Sequence, residues 1–169
     1  LAGPETGYTG YPMFNSPDAI ATTFKEAGFD LVVTANNHSL DRGYKGAIRT
    51  LDILQGAGLD TVGTYRNEAE ARSFLIKDIN GVKVGYLAYS YGTNGLPVPN
   101  EHPEFFNFLD RDNIVADIYA LRPQVDILIL VLHWGQEYQP EPTPEQVLMA
   151  HEFLNAGADI ILGNHPYVV

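Results

Sequence analysis

The 169-residue chain has no cysteine, which removes disulfides, thiolate zinc sites and a cysteine nucleophile together. Long apolar runs are missing too. The longest, Val125 to Leu132, contains Asp126 and falls well short of the roughly 18 residues that a membrane-spanning helix needs. Positive charge is scarce: 10 Lys+Arg face 21 Asp+Glu, a net charge of −11, so the field that gathers nucleic-acid phosphates or anionic lipid is absent. No nucleic-acid partner is expected. Leu1 to Tyr11 lack both a basic n-region and an apolar h-region, so no targeting peptide is read there. A Gly-x-Ser-x-Gly elbow, a Gly-x-x-x-x-Gly-Lys phosphate loop and a Gly-x-Gly-x-x-Gly dinucleotide turn do not occur either, which takes most of the support from serine-hydrolase and nucleotide-dependent chemistry. What remains is 45% hydrophobic and 18% charged, the make-up of one globular domain over residues 1–169 with material for a sizeable core.

The apolar spacing predicts alternating helices and strands. Ser16-Pro17 reads as N-cap and first helical residue, with Ile20, Phe24 and Ala27 on one face until Gly28. Phe29 to Thr34 reads as a short buried strand, Tyr44 to Gln55 as a second helix, and Thr61 to Thr64 as another strand. Asn80-Gly81 between Ser73–Ile79 and Val82–Ser90 predicts a β-hairpin with a type I′ turn. Residues 91–103, rich in Gly, Pro and Asn, form a loop long enough to suggest a functional flap. Ile114, Ile118 and Leu121 mark a helix ended by Pro123, and Val125 to Leu132 a strand buried on both faces. Thr143-Pro144-Glu145-Gln146 is a capping box opening a helix to Ala156, followed by a last strand, Ile160 to Leu162. This order implies an α/β fold: a mostly parallel sheet arrangement with helices on the outer faces and one hairpin. In such sheets ligands bind beyond the carboxyl ends of the strands.

Three of the five histidines stand just after predicted strands: His38, His133 and His165. If those strands are neighbours, their carboxyl ends bring three imidazoles and the amides of Asn36, Asn37 and Asn164 to one rim. Imidazole nitrogen and amide oxygen together suit a divalent first-row metal and metal-assisted hydrolysis. Asp41 and Glu137 follow His38 and His133 closely in sequence; each can be a ligand, an orienter of a histidine N–H or a general base. The bland alternative is a set of hydrogen-bonded structural histidines. His102 and His151 read as structural or solvent-facing, Gly43 and Gly135 as turn residues, and Trp134 either walls a pocket or caps the core.

The segments Ala35-Asn36-Asn37-His38-Ser39-Leu40-Asp41-Arg42-Gly43, His133-Trp134-Gly135-Gln136-Glu137-Tyr138 and Gly163-Asn164-His165-Pro166-Tyr167-Val168 resemble the three ordered signatures of the bacterial capsule-synthesis CapA family, the poly-γ-glutamate biosynthesis proteins. That family resembles the calcineurin-like metallophosphoesterases, so the resemblance implies a sandwich of two sheets with helices outside. It implies metal ligation by Asn37, His133 and His165 and assistance to the leaving group by His38. It also implies a divalent cofactor: manganese, iron or zinc. Tyr167 stands where the terminal His-x-His signature has its second histidine, and a neutral phenol is a poor ligand. The aspartates that the superfamily places on its first strands have no counterpart, so the chain reads as a fragment lacking the first strands and the C-terminal end, with an incomplete metal site.

Two functions follow from the resemblance. One is a metal-dependent hydrolase or transferase acting on a phosphoester or on the γ-linked anionic polymer, with catalytic roles for His38, Asp41 and Glu137. The other is a non-catalytic polymer-binding or assembly module at the cell surface beside a membrane-bound polymer synthase, anchored through a segment absent from this chain. An ordinary phosphatase is a third and weaker reading, because fold kinship does not settle chemistry. A net charge of −11 repels a polyanion over a Debye length of about 8 Å, so a metal or local Arg and Lys would have to offset it.

Overall fold

A computed structural model of the protein describes residues 1–167; Val168, the last residue of the third motif, and Val169 lie outside the described residues. Two compact units are built from interleaved segments. The first joins Leu1–Arg72 to Gly92–Asn107, and the second joins Ser73–Tyr91 to the described residues from Phe108 onward.

In the first unit, α1 (Ala19–Glu26), β1 (Leu31–Val33), α2 (Gly43–Gly56), β2 (Asp60–Val62) and the single turn α3 (Glu68–Ala71) follow in order. β1 and β2 pair in parallel, Leu31 opposite Asp60 and Val33 opposite Val62. The apolar face of α2 buries Ala47, Leu51 and Leu54. Leu54 packs with Ala21 and Leu59, and Ala47 with Leu40, Phe105 and Phe106. Residues 92–107 therefore contribute two core anchors rather than a wholly loose loop. Phe105 closes a 3₁₀ turn, Pro103–Phe105, and its carbonyl accepts from Tyr65 N at 2.9 Å.

Three expectations change here. The first helix begins at Ala19 rather than Pro17, and Ser16 does not cap it. Asp18, at the cap position, instead takes a bidentate contact from Arg49 at 2.7 Å, and that guanidinium bond holds the Asp18 carboxyl below the usual range. The strand expected over Phe29 to Thr34 shortens to three residues, all half-buried. Phe29 is exposed, resting edge-on against Phe24, because a two-stranded sheet cannot cover both faces of its strands. The turn α3 was not expected; Asn67 caps it by accepting from Glu70 N.

The second unit holds one mixed sheet in the order β3-β4-β5-β6: β3 (Leu75–Ile79), β4 (Val82–Ser90), β5 (Ile127–His133) and β6 (Ile160–Asn164). β3 and β4 are the expected antiparallel hairpin, with Asn80 and Gly81 at φ 56° and 88°, both on the positive side that a type I′ turn demands. β4, β5 and β6 run parallel. Helix α4 (Arg111–Leu121) is capped by Asp110, and α5 (Pro144–Ala156) opens on the capping box of Thr143 and Gln146. Ile114, Ile118 and Leu121 of α4 and Met149 and Phe153 of α5 pack with Leu128, Leu130 and Leu132 of β5 in one core. The pattern on β5 is not the double burial expected, since Ile127 and Ile129 are only half-buried. β6 is the outer described strand, and its Leu162 is 50% exposed.

The α/β class with parallel and mixed sheets and helical cover is thus the one that the sequence implied. No described helix is long and apolar enough to cross a membrane.

Candidate active site

Parallel pairing brings the carboxyl ends of β4, β5 and β6 level. Ser90 lies opposite His133 and His133 opposite Asn164, so the residues that follow each strand crowd one edge. His133 and His165 stand with ring centroids 4.7 Å apart. Tyr91 stacks on His133 at 6.1 Å and 8° and leans on His165 at 4.8 Å. His133 Nδ1 is hydrogen-bonded to Asn164 Oδ1. An amide oxygen only accepts, so Nδ1 carries the proton in this arrangement and the ring's lone pair lies on Nε2.

The backbone around the second imidazole is unusual. His165 and Tyr167 have φ of 105° and 60°, and Tyr138 has 62°, in a region where a side-chain-bearing residue pays of order 1–3 kcal/mol. The turn after β5 and the segment after β6 support one another there. Tyr138 N donates to Pro166 O at 2.6 Å, Trp134 N donates to Asn164 O at 3.1 Å, and the rings of Tyr138 and Tyr167 stack at 5.8 Å. His165 is consequently fixed with a side chain only 4% exposed, its Nε2 at 3.8 Å from Glu137 Oε1. That separation is an electrostatic contact and too long for a hydrogen bond.

The Asn-Asn-His motif, in the first unit, forms its own polar knot. Asn36 Oδ1 accepts from His38 N at 2.9 Å, while Ser39 Oγ accepts from Asn36 N and donates to Thr34 O. These bonds shape the turn that follows β1. His38 Nδ1 meets Asp41 Oδ2 at 2.8 Å, and the same oxygen accepts from Phe14 N at 2.7 Å. Asp41 is 5% exposed, and its other oxygen, Oδ1, has no hydrogen-bond partner among the described residues. Phe14 sets its edge against the His38 ring at 4.6 Å. Asn37, also buried, donates from Nδ2 to Asn94 Oδ1 at 3.1 Å, which orients its amide oxygen.

Asp41 holds His38 by Nδ1, the contact that an orienter of a histidine makes. Asn37, His38 and Asp41 lie together in the first unit; His133, Glu137, Asn164 and His165 lie together in the second. His102 is structural, stacked on Tyr44 at 4.4 Å. Burial, then the nearby Glu104 and Glu70 carboxylates, pushes the Tyr44 phenol above its ordinary pKa. His151 is exposed on α5. Three partners escaped the sequence reading: Tyr91, Phe14 and Asn94. Tyr91 had a signal, since it follows β4, the strand that pairs with β5.

The donor chemistry fits a divalent ion in part. Two imidazoles stand close, with amide and carboxylate oxygens beside them, yet the described residues contain no group of three or more His, Cys, Asp or Glu set to hold an ion. The two imidazoles of the second unit offer nitrogen donors to such an ion. Tyr167, in the place of a further histidine, is largely exposed and 5.9 Å from the His165 ring centroid.

Comparison with known proteins gives consistent relatives. The family model of the bacterial capsule synthesis protein PGA_cap matches residues 1–169. The chain is 33% identical over 150 residues to the capsule biosynthesis protein CapA of Bacillus anthracis, covering 86% of this chain and 36% of that protein. To the PGA biosynthesis protein CapA of Bacillus subtilis (strain 168) it is 31% identical over 147 residues, covering 86% and 38%. Among solved structures, a putative 5′-nucleotidase from Staphylococcus aureus in complex with alpha-ketoglutarate aligns with a TM-score of 0.64 at 16% identity, over 91% of this chain and 34% of that one. That likeness speaks for the fold alone, an α/β architecture. The chain spans a little over a third of the length of the curated relatives it matches.

Proposed function

Because the chain belongs to the bacterial capsule synthesis family, whose model matches all 169 of its residues, we propose that it serves the production of a poly-γ-glutamate-type envelope polymer as a metal-dependent hydrolase-like domain. The observation that carries this reading is the fixed pair of imidazoles, His133 and His165, at the carboxyl ends of β5 and β6.

In this reading His133 and His165 donate ring nitrogens to a divalent manganese, iron or zinc ion. When bound, such an ion polarises a scissile group and acidifies a water. Asn164 keeps the His133 proton on Nδ1 and so presents Nε2 as the ligand. Glu137, next to His165 Nε2, is the candidate base for a proton released nearby. His38, held by the buried Asp41 carboxylate, is the acid that protonates a leaving group from Nε2. The substrate is the anionic polymer or a phosphoester, the partner a membrane-bound synthase, and the location the cell envelope. The part-complete donor set favours a second reading, a non-catalytic polymer-binding module.

Complementation in a capsule-forming host tests the choice. The full-length protein with His38→Ala or with His133→Ala is expected to lose polymer production while still accumulating as a folded protein. Wild-type polymer yield from both variants overturns the catalytic reading and leaves the binding module.

A further inference from the structure

A cavity of about 220 Å³ opens in the second unit, bounded by Trp134, Gln136, Gln139, Gln146 and Asn164 and by prolines 140, 142 and 166. Its polar lining is almost wholly uncharged. Among the described residues that line it, Glu141 is the one ionisable side chain and there is no Lys or Arg, so these residues offer no cation to a phosphate or a carboxylate. Amides and an indole N–H, by contrast, match a neutral group with a strong acceptor.

Two features make this a built site. Trp134 is 8% exposed and belongs to the core that α4, α5 and β5 share, and its Nε1, with no acceptor among the described residues, keeps some access to solvent. That nitrogen sits against the bare α-carbon of Gly163, where a Cβ would come within 3.0 Å. Across the cavity, Gln146 is held by its Oε1, which accepts from Thr143 N at 2.8 Å in the capping box. Its Nε2 is thereby turned toward Gly135, where a Cβ would come within 2.7 Å. Two N–H donors thus border one cavity, each against a glycine that leaves it room.

We propose that this cavity is a subsite for a secondary amide: Trp134 Nε1 and Gln146 Nε2 donate to the amide carbonyl oxygen of a polyamide chain, and Gln136 and Gln139 serve the neighbouring N–H. This rests on the polymer reading above for its natural occupant, a γ-glutamyl amide bond, whose carboxylates stay in solvent away from Glu141. The volume suits one repeat unit. A sugar is disfavoured because Trp134, a core residue only 8% exposed, offers little ring surface to stack on.

Trp134 is the only tryptophan, so its fluorescence reads this cavity directly. The chain is titrated with γ-linked oligoglutamate, α-linked oligoglutamate of equal length, polyacrylate as an amide-free polyanion, and a neutral oligosaccharide. A saturable change with an amide-bearing oligomer and none with polyacrylate or the sugar supports the subsite. Gln146→Glu, which keeps the capping oxygen and removes the donor, is expected to weaken that binding about fivefold with its melting temperature retained. Equal response to α- and γ-linked chains supports the amide subsite while counting against the polymer reading. Response to polyacrylate or the sugar equal to that of the peptides, no response to any amide, or unchanged binding in Gln146→Glu overturns the subsite.

Discussion

His133 and Asn164 face one another in register on β5 and β6 and are joined by a hydrogen bond from Nδ1 to Oδ1. The pairing of two strands thereby fixes the protonation pattern of an imidazole at their end. Nitrogen-15 chemical shifts of the His133 ring should report the Nδ1–H tautomer in the wild type. In Asn164→Ala the other tautomer should become populated, and a His133 spectrum unchanged by that substitution would remove Asn164 from its positioning role.

Asp41 does the corresponding work for His38, and its Oδ2 accepts from both His38 Nδ1 and Phe14 N. Asp41→Ala should cost about 1–2 kcal/mol in chemical denaturation, because it leaves the part-buried Phe14 N–H and the His38 ring without their acceptor. A loss below a few tenths of a kcal/mol would mean that the pair contributes nothing to holding the motif.

The turn after β5 depends on Gly135, at φ 94° with Gln146 Nε2 in the way of any Cβ. Gly135→Ala should therefore destabilise the protein by about 1–2 kcal/mol, from backbone strain together with displacement of the glutamine. Thermal melting measures it.

Acid should act through Asp159. Burial pushes its carboxyl upward, but the Leu128 N–H and Arg122 outweigh that, and its pKa lies below the ordinary value. A carboxyl whose folded pKa is depressed contributes stability that is complete above its unfolded pKa, near 3.9, and lost as pH falls through the lower folded value. The side chain is 45% exposed, so solvent screening holds the contribution to about 1 kcal/mol. Denaturation midpoints of wild type and Asp159→Asn should differ at pH 6 and converge as acid takes the pH down through the folded value.

The hairpin, the capping box and the order of helices and strands were legible because each is local chemistry: Asn80-Gly81 for a positive-φ turn, Thr143 and Gln146 for a reciprocal cap. Burial was less legible. Phe29 to Thr34 and Ile160 to Leu162 have apolar composition suited to interior strands, yet β1 has one described neighbour and β6 lies at the sheet's outer edge, and burial depends on what packs against a strand. The histidines of the site were found by position after strands, and Asn164 with them. Phe14 was missed since aromatic packing against an imidazole leaves no spacing to read, whereas Tyr91, directly after β4, was open to the same position rule and was passed over. The strained φ of His165 likewise leaves no trace in residue type.

Calorimetric titration of the chain with manganese and with zinc tests the account most directly. It predicts saturable binding that His133→Ala and His165→Ala each abolish, while His151→Ala, on the exposed side of α5, binds as the wild type does. Equal binding in all four proteins, or none in the wild type, would contradict the assignment of these two imidazoles as metal ligands.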